Sequence, residues 1–110
     1  MKSTLDKFNL EGKTALITGA GGLLGVEHAR ALLEIGATVV LTDIDEIKLS
    51  VVCDDLIMTF GKNRVICKAM DVTSEENIKA VSTELATLDV TVGILINNAA
   101  IGPKVSNDSL

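Results

Sequence analysis

The stretch Thr18-Gly19-Ala20-Gly21-Gly22-Leu23-Leu24-Gly25 is the most informative part of this chain, because of the segments on either side of it. Residues 14–17 lead into the glycines with the apolar pattern of a buried strand, and residues 23–35 lead out with the pattern of an amphipathic helix. A glycine-rich loop at a strand-to-helix junction lets backbone N–H groups approach a phosphate, with the positive end of the helix dipole behind them. The stretch therefore indicates a nucleotide-binding loop.

Strand-like and helix-like segments alternate along the whole chain, with short connections and no linker or repeat. The predicted strands cover residues 13–18, 37–42, 64–70 and 91–97, and the predicted helices cover residues 23–35, 44–60 and 74–88. Near-continuous apolar strands that alternate with helices indicate an α/β protein with a parallel sheet covered on both faces. Right-handed crossovers then give the strand order 3-2-1-4, which is the N-terminal half of a Rossmann-type doubly wound sheet. The glycine loop ends strand 1 at the switch point between strands 1 and 4, where such sheets bind ligands.

Composition limits the classes of function. With 110 residues the chain forms one domain at most, and its formal net charge of -5 argues against nucleic acid or an anionic membrane surface as partner. No apolar run approaches the roughly 18 residues of a membrane helix, and the N-terminus lacks the apolar segment of a signal peptide, so we expect a cytoplasmic protein. Cys53 and Cys67 have no metal-ligand spacing, and we expect two buried thiols in a reducing compartment.

Asp43 stands at the end of the second predicted strand, 24 residues beyond Gly19, which is close to the spacing at which an acidic residue meets a ribose in dinucleotide sites. A carboxylate there accepts hydrogen bonds from the 2′- and 3′-hydroxyls and repels a 2′-phosphate. No Arg or Lys lies in the loop or directly after the strand, and Lys48 is the nearest. These residues favour NAD over NADP. A role for Asp43 as N-cap of the following helix remains open beside this one.

The fourth predicted strand ends in Asn97-Asn98-Ala99-Ala100. Together with residues 18–25, Asp43 and Asp71-Val72, this ending resembles the short-chain dehydrogenase/reductase family, over residues 8–103. The resemblance implies an oxidoreductase that transfers hydride between a nicotinamide and a carbonyl/alcohol pair. It implies a pyrophosphate and adenosine-ribose site at Gly19, Gly21, Gly22 and Leu24, contact of Asp43 with that ribose, of Asp71 and Val72 with the adenine, and of Asn98 and Ala99 with the nicotinamide-side ribose.

The sequence departs from the family pattern in three ways. Leu23 and Ala100 stand where the family usually has glycine, and we expect both changes to be tolerated. The family's general acid/base is a Tyr that follows the fourth strand, and this chain contains no Tyr. We therefore assign no catalytic residue, and we expect residues 1–110 to be a partial cofactor-binding domain, inactive alone, with substrate bound only by a full-length parent. Strand 4 would be an open edge, so we also expect marginal stability or self-association.

Two other functions are compatible with these residues. A non-catalytic nucleotide-binding module, or a truncated remnant, would share the loop and the acidic residue. A methyltransferase would share them too, but it would bind S-adenosylmethionine and give no response to NAD.

Overall fold

The computed structural model describes residues 9–98, which form one four-stranded sheet with helices on both faces. The elements are β1 (Thr14–Thr18), α1 (Leu23–Glu34), β2 (Thr38–Asp43), α2 (Glu46–Phe60), β3 (Val65–Ala69), α3 (Glu75–Thr87) and β4 (Ile94–Asn97). All pairs of neighbouring strands are parallel, in the order β3-β2-β1-β4. This confirms the predicted fold class and strand order. The carboxyl ends of all four strands consequently share one edge of the sheet.

The sheet separates two apolar clusters. On one face, α1 and α2 pack on β1, β2 and β3; the buried residues of this cluster include Ile17, Ala29, Leu33, Val39, Leu41, Leu49, Leu56 and Val65. On the other face, Val81 and Leu85 of α3 pack with Val40 and Met70. β2 is buried from both sides because it lies between β1 and β3 and under helices on each face. The burial of side chains is thus most complete along β2, and Asp43 is the last residue of this strand.

Helix α2 buries only one of its apolar faces. Ile47 and Val51 are 80% and 67% exposed, whereas Leu49, Cys53 and Leu56 face the core. The helix carries two apolar stripes, and the sequence does not say which one contacts the sheet. The N-cap of α3 is Ser74, whose hydroxyl accepts the N–H of Asn77 at 3.1 Å.

The expectation of two free thiols is wrong. Cys53 on α2 and Cys67 on β3 are joined by a disulfide, with their Cα atoms 6.5 Å apart. The two cysteines meet because α2 packs against β3 in the folded chain. This packing brings together residues that are 14 positions apart in sequence. The bond ties the edge strand β3 to the helix that covers it.

Reduction of this disulfide is expected to lower the free energy of unfolding by about 3 kcal/mol, because the crosslink restricts the unfolded chain over a loop of this length. The measurement is thermal unfolding with and without a phosphine reductant. The double variant Cys53→Ser/Cys67→Ser should unfold at the temperature of the reduced chain and ignore the reductant. Labelling of both thiols in the untreated, folded protein would contradict the prediction.

Candidate functional site

The glycine loop turns the chain from β1 into α1. Gly19 has φ +63°, a left-handed conformation that glycine adopts without strain, and the N–H of Ala20 donates to the Thr42 carbonyl at 2.9 Å. Gly22 is the N-cap of α1 and makes no side-chain capping bond. Since no side chain caps this helix, N–H groups of its first turn are available to an anion.

Helix α1 contacts the backbone of the loop closely at Gly25. A Cβ built on Gly25 would lie 2.5 Å from the Gly19 carbonyl oxygen and 2.6 Å from the Ala20 Cα. Only glycine fits there. Leu23, at the position where the family usually has glycine, is 87% exposed and has no positive φ.

The Asp43 carboxylate connects the end of β2 to the loop. Its Oδ2 accepts the N–H of Gly21 at 2.9 Å, and its Oδ1 accepts the N–H of Asp45 at 2.8 Å. The N-cap of α2 is Asp45, whose Oδ1 accepts the N–H groups of Ile47 and Lys48, both at 3.1 Å. The alternative role of Asp43 as N-cap is therefore wrong, because the N-cap lies two residues later, at Asp45, and the Asp43 carboxylate accepts the N–H of Gly21 in the loop.

A cavity of about 250 Å³ opens beside this carboxylate, lined by Gly19, Asp43, Ile44, Met70, Asp71, Val72 and Thr73. It brings together four of the predicted site residues, from the ends of β1, β2 and β3. Sequence reasoning missed Ile44, Met70 and Thr73. Each is within two residues of a predicted contact at a strand end, and that position is the signal that could have found them.

Asp71 directs its carboxylate into its own turn. Its Oδ1 accepts the hydroxyl of Thr73 at 2.6 Å and the Thr73 N–H at 2.9 Å. The hydroxyl first, and then the N–H, hold the pKa of this carboxyl below its ordinary value. The same two hydrogen bonds shape the turn that follows β3, and this turn presents Val72 to the cavity.

The ends of β1 and β4 are tied by side chains. The Thr18 hydroxyl donates to the Asn97 side-chain oxygen at 2.6 Å, and the N–H of Asn98 lies 3.2 Å from both the Thr18 carbonyl and its hydroxyl oxygen. The Nδ2 atom of Asn98 is buried without a hydrogen-bond partner among residues 9–98; His28 Nδ1 is the other such side-chain atom there. A buried amide donor without a partner is costly, so Asn98 is a candidate ligand contact at this strand end.

The remaining predicted contacts lie outside the cavity. Gly21 does not line the cavity, but its N–H donates to Asp43, which does. Gly22, Leu24 and Asn98 are not part of the cavity lining in the described structure. Leu24 is 67% exposed in the first turn of α1. Ala99 lies outside the described residues.

Two classes of site are not found within residues 9–98. No cluster of three or more His, Cys, Asp or Glu side chains there could hold a metal ion. In the same part of the chain, no helix has both the length and the apolar character needed to cross a membrane.

Comparison with known proteins identifies the family to which this chain belongs. The family model of the short chain dehydrogenases matches residues 13–110. The 7alpha-hydroxysteroid dehydrogenase of Escherichia coli K12 is 38% identical over 100 residues, covering 90% of this chain and 38% of that protein. The NAD-dependent glycerol dehydrogenase of Listeria innocua is 34% identical over 95 residues, covering 86% of this chain and 35% of that protein.

The fold agrees with a solved relative. A gluconate 5-dehydrogenase from Burkholderia cenocepacia, in complex with NADP and tartrate, superposes with a TM-score of 0.78 at 31% identity, covering 98% of this chain and 42% of that one. The chain thus spans less than half the length of these three relatives. The match over residues 13–110 also removes the methyltransferase alternative. This chain belongs to the short-chain dehydrogenase/reductase family and corresponds to an N-terminal portion of its members.

Proposed function

We propose that the chain is the NAD-binding N-terminal portion of an oxidoreductase that transfers hydride between a nicotinamide and a carbonyl/alcohol pair. One observation carries the proposal: the Asp43 carboxylate lines the cavity at the end of β2 and is held by the N–H of Gly21 in the glycine loop. A carboxylate fixed beside a glycine-rich helix N-terminus offers an acceptor for ribose hydroxyls next to donors for phosphate.

The observed hydrogen bonds leave Asp43 able to bind a ribose. Each carboxylate oxygen has two lone pairs, and each already accepts one backbone N–H, from Gly21 and from Asp45. One acceptor position therefore remains on each oxygen, enough for the 2′- and 3′-hydroxyls. These N–H bonds also fix the carboxylate before any ligand arrives, which lowers the entropy cost of binding.

The other predicted residues complete the proposed binding surface. Backbone groups of Gly19, Gly21, Gly22 and Leu24 would hold the pyrophosphate, Asp71 and Val72 would flank the adenine, and Asn98 and Ala99 would contact the second ribose. The Nδ2 of Asn98, which is buried and has no hydrogen-bond partner among residues 9–98, supports that assignment, because a ribose oxygen would supply an acceptor. Bound NAD would supply the hydride acceptor, while these residues bind and orient it.

The preference for NAD over NADP rests on charge. A 2′-phosphate would stand next to the Asp43 carboxylate, and like charges at that distance repel. Relatives of this chain use either cofactor: the glycerol dehydrogenase is NAD-dependent, and the gluconate 5-dehydrogenase was crystallised with NADP. The acidic residue at position 43 is the feature that favours NAD in this protein.

The remaining parts of the proposal concern what the chain does alone. We propose that it has no catalytic activity, since it contains no Tyr, and that substrate binding belongs to a full-length parent in the cytoplasm. Within the described structure β4 pairs only with β1, and Leu95 on β4 is 64% exposed. An open strand edge of this kind supports self-association as a further part of the proposal.

Titration of the 110-residue chain with NAD and with AMP tests the proposed function. Both ligands should raise the unfolding temperature by a few degrees at about ten times their Kd, and with similar affinity, because the adenosine half makes most contacts. S-adenosylmethionine is the comparison ligand and should have no effect. If neither NAD nor AMP changes the unfolding temperature or the protein's spectra, the chain is an inert remnant and the proposal fails.

A further inference from the structure

A groove between α2 and β3 leads from solvent to the disulfide. It has a volume of about 350 Å³ and is lined by Leu49 and Cys53 of α2, by Val65, Cys67 and Ala69 of β3, and by polar residues at its rim. Cys53 is 5% exposed, whereas Cys67 is only partly buried, so Cys67 is the more accessible of the two. A small thiol can therefore reach this bond in the folded chain.

The disulfide joins the two elements that hold one wall of the candidate nucleotide cavity. Helix α2 begins just after Ile44, and β3 ends just before Met70, and both of these residues line the cavity. At this end the N–H of Met70 donates to the Asp43 carbonyl at 3.1 Å. A movement of β3 relative to α2 would therefore move residues 70–73, which supply most of the lining.

The disulfide fastens β3 where its apolar packing is weakest. On the face toward α2, Val65, Cys67 and Ala69 are buried, partly buried and exposed in that order. Among residues 9–98, β3 pairs only with β2, so no second strand holds it there. Because Met70 packs against α3 on the other face, we expect an open disulfide to loosen the end of the strand and not to detach it.

We propose that the Cys53–Cys67 bond is a thiol–disulfide exchange site, and that its reduction weakens nucleotide binding in the cavity. The second part rests on the proposed function, as does the cytoplasmic setting, where disulfides are mostly transient and redox-sensing. A thiolate attacks the Cys67 sulfur and forms a mixed disulfide, while the Cys53 sulfur leaves and takes up a proton. A second thiol then breaks the mixed disulfide, so that Cys67 becomes a thiol and the reductant is oxidised to a disulfide.

The charge of the groove selects the kind of thiol. Glu46 and Asp54 line it, both are exposed, and no Lys or Arg is among its described lining residues. At equal thiolate concentration, cationic cysteamine should reduce the bond about 3- to 10-fold faster than anionic 2-mercaptoethanesulfonate, because the carboxylates attract one and repel the other. Asp54→Asn should shrink this ratio. Asp55→Asn is the matched control, since Asp55 carries the same charge on α2 but does not line the groove.

The effect on the cavity is measured as the Kd of AMP for the oxidised and the reduced 110-residue chain. Calorimetry is done at about 15 °C, where domains of this kind are most stable. Reduction should weaken AMP by about 3- to 10-fold, as when about a third to a tenth of the molecules remain competent to bind. Saturating AMP should in turn shift the equilibrium with dithiothreitol toward the disulfide by the same factor, because coupling is reciprocal.

Two further measurements separate a loosened strand from an unfolded chain. Amide NMR signals of residues 70–73 should shift or broaden on reduction, while those of residues 94–97, at the far edge of the sheet, should remain in place. The variant Cys53→Ser/Cys67→Ser should bind AMP as the reduced chain does and ignore the reductant.

Three outcomes would overturn the inference. They are equal Kd values for AMP in the two redox states, a disulfide that neither thiol reduces in the folded chain, and loss of the whole NMR spectrum on reduction, since the bond would then support the entire fold. An equal change of thiol preference in Asp54→Asn and Asp55→Asn would refute selection by the groove. Failure of AMP to bind the oxidised chain refutes the proposed function instead, and the rates with the two thiols then decide on the exchange site alone.

Discussion

Gly25→Ala is expected to lower the free energy of unfolding by about 2 kcal/mol, although alanine favours helices by up to about 1 kcal/mol over glycine. The new methyl carbon would stand 2.5 Å from the Gly19 carbonyl oxygen and 2.6 Å from the Ala20 Cα. Both obstacles are backbone atoms, so no flexible side chain can move aside. Helix α1 must shift away from the loop, and this loosens the packing of Ala29 and Leu33 on the sheet.

Urea unfolding followed by circular dichroism measures the effect, with Gly93→Ala as the matched control. A Cβ at Gly93 would meet nothing within 4 Å, and its φ is not positive, so that change should stay within about 0.5 kcal/mol. Equal stabilities for the two variants would show that α1 and the loop are not in this tight contact.

The arrangement of strands and helices could be predicted because it depends on local signals. Apolar runs, the glycine loop and Gly36 and Gly61 after the helices mark each element, and the handedness of the crossovers then leaves one strand order. The bounds of the elements shift by a few residues: the fourth strand, for instance, begins at Ile94 and not at residue 91.

Features that depend on how α2 lies over the sheet could not be predicted. The pairing of Cys53 with Cys67, the exposure of Ile47 and the approach of Lys48 to Gly21 all follow from that one packing arrangement. Helical periodicity indicates that a face is buried, but α2 has apolar residues on two faces. Only contact with β2 and β3 decides between them.

In the candidate site, too, some features could be predicted from the sequence and others could not. Asp43 could be found from its spacing to the glycines, because both positions are fixed by a strand end. Its hydrogen bonds could not, since Asp43 and Asp45 are chemically identical and either could cap the helix. The structure separates them: Asp45 caps α2, which leaves Asp43 bonded to the loop.

Asp43→Asn should weaken NAD by about 10- to 100-fold, the largest effect on binding that we expect from one substitution. An amide keeps the shape of the carboxylate but replaces one acceptor oxygen with a donor. That donor would face the N–H of either Gly21 or Asp45, so one of the two observed hydrogen bonds is lost and the ribose loses a charged acceptor. Hydrogen bonds to a charged group contribute about 1.5–3 kcal/mol, which corresponds to this range of affinity.

For 2′,5′-ADP, which carries the additional 2′-phosphate, the same substitution should leave the affinity unchanged or raise it. The reason is that the substitution removes the repulsion between the Asp43 carboxylate and the 2′-phosphate. Calorimetric titration of both ligands gives the change in preference directly. Asp45→Asn is the matched control, since it removes one negative charge two residues away while asparagine caps helices as well as aspartate does. A control that changed the preference as much as Asp43→Asn would mean that overall charge, and not a carboxylate bound to Gly21, selects the cofactor. A preference that changes only at position 43 would place the choice of cofactor in the hydrogen bonds between the end of β2 and the glycine loop.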